Sequence, residues 1–355
     1  MTTIRCSMML ALFTAAIVAP GSAQSPYESP FSIYGFLTQG FAATESVPIM
    51  GIPMGGTADY RALAVQARYR VDAKSNVVTQ ISHRRLGHSA LAALEPALEL
   101  DWAFYRRSLG PVSVSVGRVP IPRGFYNEVR DVGTLLPFYR APSFLYADGM
   151  EAVDGVTATA RKDLGQWAVE ANVYAGGMEW KAVAADSAGV TAFVQRSERN
   201  IGTQLWLSTP ITGVRAGVSY LNSEDDLSPG GRSRMWIASL EIDRDRWMVR
   251  SELADATLAG MDIVTGYVHG RFKVVPTLHV MGQYEQADFG VIVPATFEWT
   301  ELKDAALGIA FVPNSRLVFK LEGHRAEGYM FDVPMNRLGA PAQSNYAILS
   351  MSVSF

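Results

Sequence analysis

The sequence predicts an all-β fold, a single closed antiparallel transmembrane β-barrel of about 16 strands. Three observations carry that expectation. Short segments with period-two alternation recur along the chain, the connections between them alternate between tight turns and longer stretches, and the last segment stops in mid-strand. That last segment, YAILSMSVSF, places Ala347, Leu349, Met351, Val353 and Phe355 on one face and Ser350, Ser352 and Ser354 on the other. A strand with one apolar and one small polar face separates two different media.

The start of the chain says which media these are. Residues 1–23 read as a secretory signal peptide: Arg5 supplies the positive start, MMLALFTAAIVAP the apolar run and GSA the small residues before cleavage. The lone cysteine, Cys6, falls within it, so the exported portion 24–355 carries none and must be held by something other than disulfides. Without the leader the chain has 30 Lys+Arg against 34 Asp+Glu, which excludes a nucleic-acid partner. Arginine outnumbers lysine 25 to 6, a preference that suits fixed, planar, hydrogen-bonded sites. No run of 18 apolar residues exists, so transmembrane helices are excluded.

Sixteen strands are expected at 31–42, 59–72, 75–86, 94–108, 111–120, 151–162, 166–176, 200–208, 213–222, 233–243, 246–256, 261–273, 276–287, 304–312, 315–326 and 344–355. Seven tight connections, DAKS, SLGP, KDLG, TPIT, DRDR, VVPT and VPNS, are built from turn-forming residues. Between them fall longer ones at 43–58, 87–93, 121–150, 177–199, 223–232, 257–260, 288–303 and 327–343. Short–long alternation with an even strand count describes an up-and-down barrel with both ends on the periplasmic side. A soluble sandwich of this length needs two domains and a linker, and no composition break supplies one.

Each strand separates charged from apolar residues. Leu63, Val65, Ala67, Tyr69 and Val71 oppose Gln66, Arg68 and Arg70. Leu98, Leu100, Trp102 and Phe104 oppose Glu99, Asp101, Tyr105 and Arg107. Leu317, Phe319 and Leu321 oppose Lys320, Glu322 and His324. A charged face is not a packed core, because an unpaired buried ion costs several kcal/mol. It must be wet, so the apolar face meets lipid, and an open edge there would strand backbone groups. The segment SALAALEPALEL is helical in composition, but Pro96 breaks it and the run into ELDWAFY alternates, so it is assigned to a strand.

The leader, the opening strand FSIYGFLTQGFAAT, the sixteen-strand march and the terminal Phe355 together resemble a Gram-negative outer-membrane porin over the whole exported chain. The stretch VSVGRVPIPRGFYNEVRDVGTLLPFYRAP resembles the fifth strand and third loop of substrate-type porins. The resemblance implies a homotrimer in outer-membrane lipid that passes small hydrophilic solutes or ions. It also implies that Phe355 is an assembly signal read by the barrel-assembly machinery, and that loop 121–150 folds inward and narrows the pore.

That loop is rich in aromatics and carries Arg123, Glu128, Arg130, Asp131 and Arg140, a composition unlike a disordered segment. Opposite it, Arg68, Arg70, Arg84 and Arg107 are expected to form a positive rail attractive to carboxylate or phosphate. The competing reading pairs them with Glu99, Asp101, Glu128 and Asp131 as braces of the wall. Arg118 has lipid-face parity, so either a bulge turns it inward or a protein interface covers it.

Other functions find little support. His88 and Ser89 lack a placed acid, so an outer-membrane lipase has no assembled nucleophile and base. Five scattered histidines give no metal-ligand spacing, and no cofactor motif occurs. A non-conducting adhesion barrel would carry long polar loops, whereas the longest here is aromatic. The expectation is therefore a non-enzymatic channel, with a modest preference for anions.

Overall fold

The computed structural model describes residues 29–89, 92, 94, 96–146, 150–186, 189–225, 231–258, 261–290, 301–328 and 342–355. The expected signal peptide at 1–23 lies outside these residues, as do most of the long connections at 288–303 and 327–343. In chain order the strands are β1 (Phe31–Thr44), β2 (Thr57–Asp72), β3 (Ser75–Leu86), β4 (Glu99–Leu109), β5 (Val112–Pro120), β6 (Ala152–Leu164), β7 (Trp167–Asp186) and β8 (Gly189–Ser208). They continue as β9 (Val214–Asp225), β10 (Gly231–Asp243), β11 (Trp247–Leu258), β12 (Met261–Val275), β13 (Leu278–Gly290), β14 (Glu301–Asn314), β15 (Leu317–Gly328) and β16 (Ala342–Ser354). Every strand pairs antiparallel with the next. β1 pairs with β16 from Phe36↔Ser354 to Thr44↔Tyr346, so the sheet closes on itself as a 16-stranded barrel. No helix among the described residues is long and apolar enough to cross a membrane.

The two faces are inverted relative to a soluble protein. Val65, Tyr69, Leu205, Trp236, Leu253, Leu307, Leu321 and Leu349 are exposed on the outside. Gln80, Ser115, Gln204, Ser219, Glu252, Glu322 and Ser350 are buried on the inside. That arrangement is stable only when lipid covers the outer wall. The last residue also serves the closing seam. The Phe355 N–H donates to Gly35 O at 2.9 Å, and its ring lies over Gly35, where an added Cβ would stand 2.1 Å from a ring carbon.

Two segments depart from expectation. The strand expected at 94–108 begins at Glu99, because Ala92 and Leu94 sit in a 3-10 turn whose Ala92 N–H donates to Ser89 O at 3.0 Å. The helical composition of SALAALEP thus prevails up to Pro96. The long connection expected at 177–199 is instead mostly ladder. β7 and β8 run 20 residues each and stay paired out to Asp186↔Gly189. The sequence signal was there, since DSAG is a turn between two Val- and Ala-rich runs.

A third departure changes which residues face the lumen. Gln80 pairs with Trp102 and Ile81 with Leu100, so Asp101 is an extra residue bulged out of the ladder. Both Asp101 and Trp102 then point inward, and every later parity in β4 reverses. Trp102, Phe104 and Arg106 face the lumen, not the lipid. Arg107, placed inward by simple alternation, stands on the outer face with its pairing partner Ser75. Arg118 stays on the outer face and explains itself. Its Nε donates to the carbonyls of Leu100 (3.0 Å) and Asp101 (3.1 Å), which the bulge frees, and its Nη1 pairs with Asp154 at 3.1 Å.

Candidate functional site

The stretch 121–150 links β5 to β6, yet its partners lie on the inner wall all the way round. Its base is stapled by Ile121 N–H to Glu151 O (2.9 Å) and by the Asn127 amide, which donates to Ile121 O (2.8 Å) and Glu151 O (2.9 Å). Gln204 of β8 donates to Gly124 O at 3.1 Å. The Tyr126 hydroxyl meets His269 Nε2 of β12 at 2.9 Å and accepts from Arg250 Nη1 of β11 at 3.2 Å. Tyr146 donates to Glu252 of β11, which also accepts from Ser239 (2.6 Å) and Tyr267 (2.8 Å). The Phe144 N–H donates to Glu285 of β13 at 3.1 Å. Tyr139 stacks on Tyr60 of β2, with ring centroids 4.8 Å apart. A segment bonded to strands on opposite sides of a closed barrel passes through its interior.

The farthest reach of the segment is held by one ammonium. Lys320 of β15, only 2 % exposed, donates to the carbonyls of Gly133 (2.8 Å), Leu136 (2.7 Å) and Phe138 (2.8 Å). A lysine has three N–H donors, and all three are used. Gly133 presses on the seam where the barrel closes. A Cβ there would stand 2.1 Å from Thr38 Oγ1 of β1 and 2.5 Å from Ser352 Oγ of β16, hydroxyls that bond to each other at 3.0 Å.

The charged residues singled out by the sequence fall into three groups. The first is a brace at the base of the segment. Glu151 takes Arg84 at 2.9 Å and Arg130 at 2.8 Å, while Arg84 also lies 3.9 Å from both Glu99 and Asp131. Glu99 is bonded more closely to Lys181, at 2.8 Å. Burial pushes the Glu151 carboxyl up, but the guanidiniums of Arg130 and Arg84 outweigh it and hold the group at about 2. Asp101 accepts from Gln80 (2.9 Å) and Ser82 (2.6 Å).

The second group is packed within the segment. Arg123 is buried with Nη1 3.6 Å from Met150 Sδ and its guanidinium 5.5 Å from the Tyr146 ring centre. Arg140 lies 4.9 Å over the Tyr60 ring and donates to Met50 O at 3.0 Å.

The third group faces a cavity of about 380 Å³ lined by Arg106, Glu128, Glu170, Asn172, Trp206 and Arg215, among others. Burial raises the Glu128 carboxyl, and the nearby Arg106 guanidinium opposes that rise. Arg106 Nε donates to Ser115 Oγ at 3.0 Å, in the lumen row that also holds Arg70 through Asn76. Arg68 faces the lumen two residues from Arg70, on the same strand face. Arg215 packs 4.7 Å over Trp206 and bonds Glu241 at 2.6 Å. A second, narrow gap of about 20 Å³, room for a water molecule, separates Phe138 and Arg140 from Glu285, Glu322 and His324. The largest concavity among the described residues, about 1110 Å³, opens instead beside outward-facing Val249, Val268, Tyr284 and Leu307. It belongs to the lipid face.

Of the expected rail, then, Arg68 and Arg70 line the lumen, Arg84 is a brace and Arg107 is outside, held by Ser75 (3.0 Å) and Asp72 (3.6 Å). Alternation alone missed Arg106, which takes the lumen position assigned to its neighbour. It also missed Met50, whose carbonyl accepts from Tyr60 OH at 3.1 Å and ties the 44–57 connection to the segment.

No family model matches the sequence, and no curated protein does. Solved structures do match. OmpF of Salmonella typhi superposes with a TM-score of 0.64 at 11% identity, covering 92% of this chain and 97% of that one. The anion-selective porin of Comamonas acidovorans gives 0.61 at 11%, covering 92% and 100%. The outer membrane channel DcaP of Acinetobacter baumannii gives 0.59 at 11%, covering 92% and 97%. At such identity the likeness speaks for the fold, and with the closed 16-strand barrel it places this chain in the architecture of the outer-membrane porins.

Proposed function

We propose that this chain is a non-enzymatic outer-membrane channel, exported by its leader, through which small hydrophilic solutes diffuse, with segment 121–150 as the constriction. The observation that carries the reading is the polar cavity beside that segment. A charged, roomy space inside a lipid-facing barrel has no use as a core. Planar-bilayer recording tests it. Discrete open currents from purified protein are expected, and silence with every preparation would sink the reading.

A modest anion preference is part of the proposal. Arg68, Arg70 and Arg106 share one lumen wall, opposed by Glu128 on the segment. Two unit charges about 4 Å apart interact by roughly 4 kcal/mol at an effective dielectric near 20, against about 1 in water. A confined rail therefore outweighs the screened acidity of the whole protein. Reversal potentials in a salt gradient should favour anions. Arg106→Ala or Arg68→Ala should weaken the preference, Glu128→Gln should strengthen it, and Arg107→Ala, on the outer wall, should leave it alone. A cation preference that the lumen variants do not alter would show that the arginines only brace the wall.

Assembly as a homotrimer in outer-membrane lipid belongs to the same reading. Outward-facing Gly35, Ala67 and Ala103 leave a low-relief surface on β1–β4, where another copy can approach closely. Light scattering in mild detergent should give about three protomers, and a stable monomer would rule the arrangement out.

A further inference from the structure

The ammonium of Lys320 stands out among the lumen charges because it faces no cavity and pairs with no carboxylate at bonding distance. All its donors go to backbone carbonyls of a single short stretch, 133–138, on the far side of the chain's longest connection. A buried lysine placed to contact only neutral carbonyls keeps its charge at a desolvation cost of several kcal/mol. Leucine or methionine would fill the same space without that cost. What the charge provides is direction, since three carbonyls converge on one point only if something positive sits there.

We propose that Lys320 is the positioning residue that sets the size limit of the channel, by fixing the far end of segment 121–150 against the closing seam of the barrel. The proposal rests on the channel reading for its consequence, though not for the clamp itself. The near end of the segment is stapled by Asn127 and Glu151, and its middle by Glu252 and Glu285. Only Lys320 reaches residues 133–138 with side-chain donors among the described residues. Without it, the three carbonyls face a buried wall with no partner, and the stretch must swing toward water to satisfy them. The gap between Phe138 and the Glu322–His324 wall would widen as it does so, because Phe138 supplies both the third carbonyl and the ring packed on His324, 5.9 Å away.

The contact with Gly133 adds a second consequence. Thr38 and Ser352, on which Gly133 sits, belong to the first and last strands, so this half of the dock exists only once the barrel has closed. Lys320 and the seam together seat the segment after closure.

The test uses the full-length protein purified in detergent, with two readouts. Hydrogen exchange of peptides spanning 130–142 reports the clamp, and swelling of liposomes in sugars of increasing size reports the limit. In Lys320→Met, exchange in this stretch should rise at least tenfold while β8–β12 peptides stay unchanged. Sugars excluded by the wild type should enter several-fold faster. Gly133→Val, which displaces the stretch without touching the ammonium, should widen the limit in the same direction and covers the case in which the methionine variant does not fold. Lys320→Cys should behave like the methionine variant, and aminoethylation of that cysteine before refolding, which restores an ammonium at nearly the same reach, should recover wild-type exchange. Unchanged exchange in Lys320→Met, or no recovery on aminoethylation, overturns the clamp. Raised exchange with an unchanged sugar limit leaves the clamp and overturns its role in size selection. A wild type impermeable to every sugar overturns the channel reading instead, while the exchange result still decides the clamp.

Discussion

Phe355→Asp should cut the yield of folded barrel several-fold, while Ser354→Asp should cost far less. Phe355 is 68 % exposed on the lipid side and its ring covers Gly35, which has no side chain of its own to shield the backbone at the seam. Removing the ring uncovers that backbone, and aspartate adds a charge on the lipid face. The charge alone costs little near the interface, about 0–1 kcal/mol. The larger effect is expected on assembly, because an aromatic residue ending an alternating strand resembles the insertion signal of outer-membrane barrels. Ser354 faces inward, where a charge meets water. The measurement is the heat-modifiable folded band in outer-membrane fractions, and equal yields for the two variants would remove both reasons.

Glu151→Gln should be the most damaging single change at the base of segment 121–150. Arg84 and Arg130 have side chains only 9% and 5% exposed, and Glu151 is their shared counter-ion. Breaking a buried pair from one side costs about 3–5 kcal/mol, because the remaining charges are left uncompensated. The same group gives acid sensitivity with a definite sign. Its folded value, about 2, lies below the ordinary 4.5, so the stabilisation is fully present above about pH 4.5 and is lost as pH falls toward 2. That fall is worth roughly 3 kcal/mol. Urea melts at neutral pH should separate wild type from variant by several kcal/mol, and the separation should shrink as the pH drops through that window. A constant separation down to pH 2.5 would assign the stabilisation to another group.

The barrel was legible because its signals are local. Period-two alternation and turns such as DAKS and VPNS fix strands and hairpins within a few residues, and strand pairing follows from hairpin order. The inner wall was less legible, because a face assignment is cumulative. One bulged residue, Asp101, reverses everything after it in β4, and neither its polarity nor its neighbours announce it. So Arg107 was read inward and Arg106 overlooked. The segment's partners were illegible for a different reason. Lys320 and Gly133 lie 187 residues apart, and Tyr126 and His269 lie 143 apart. No periodicity links such pairs. What the sequence could show was a lysine of inward parity and a loop rich in aromatics, without saying that one holds the other.

The bulge at Asp101 also constrains how this gene can change. Losing the Asp101 codon would keep the downstream reading frame of the message yet shift the frame of the wall. Trp102, Phe104 and Arg106 would trade places with Ala103, Tyr105 and Arg107, bringing a charge into lipid and stripping the aromatic lining from the lumen. Arg118, which caps the carbonyls freed by the extra residue, would lose its purpose in the same event. A one-residue deletion here is therefore equivalent to several simultaneous substitutions on two strands. Lineages should drift by replacing side chains around this position and seldom by changing its length.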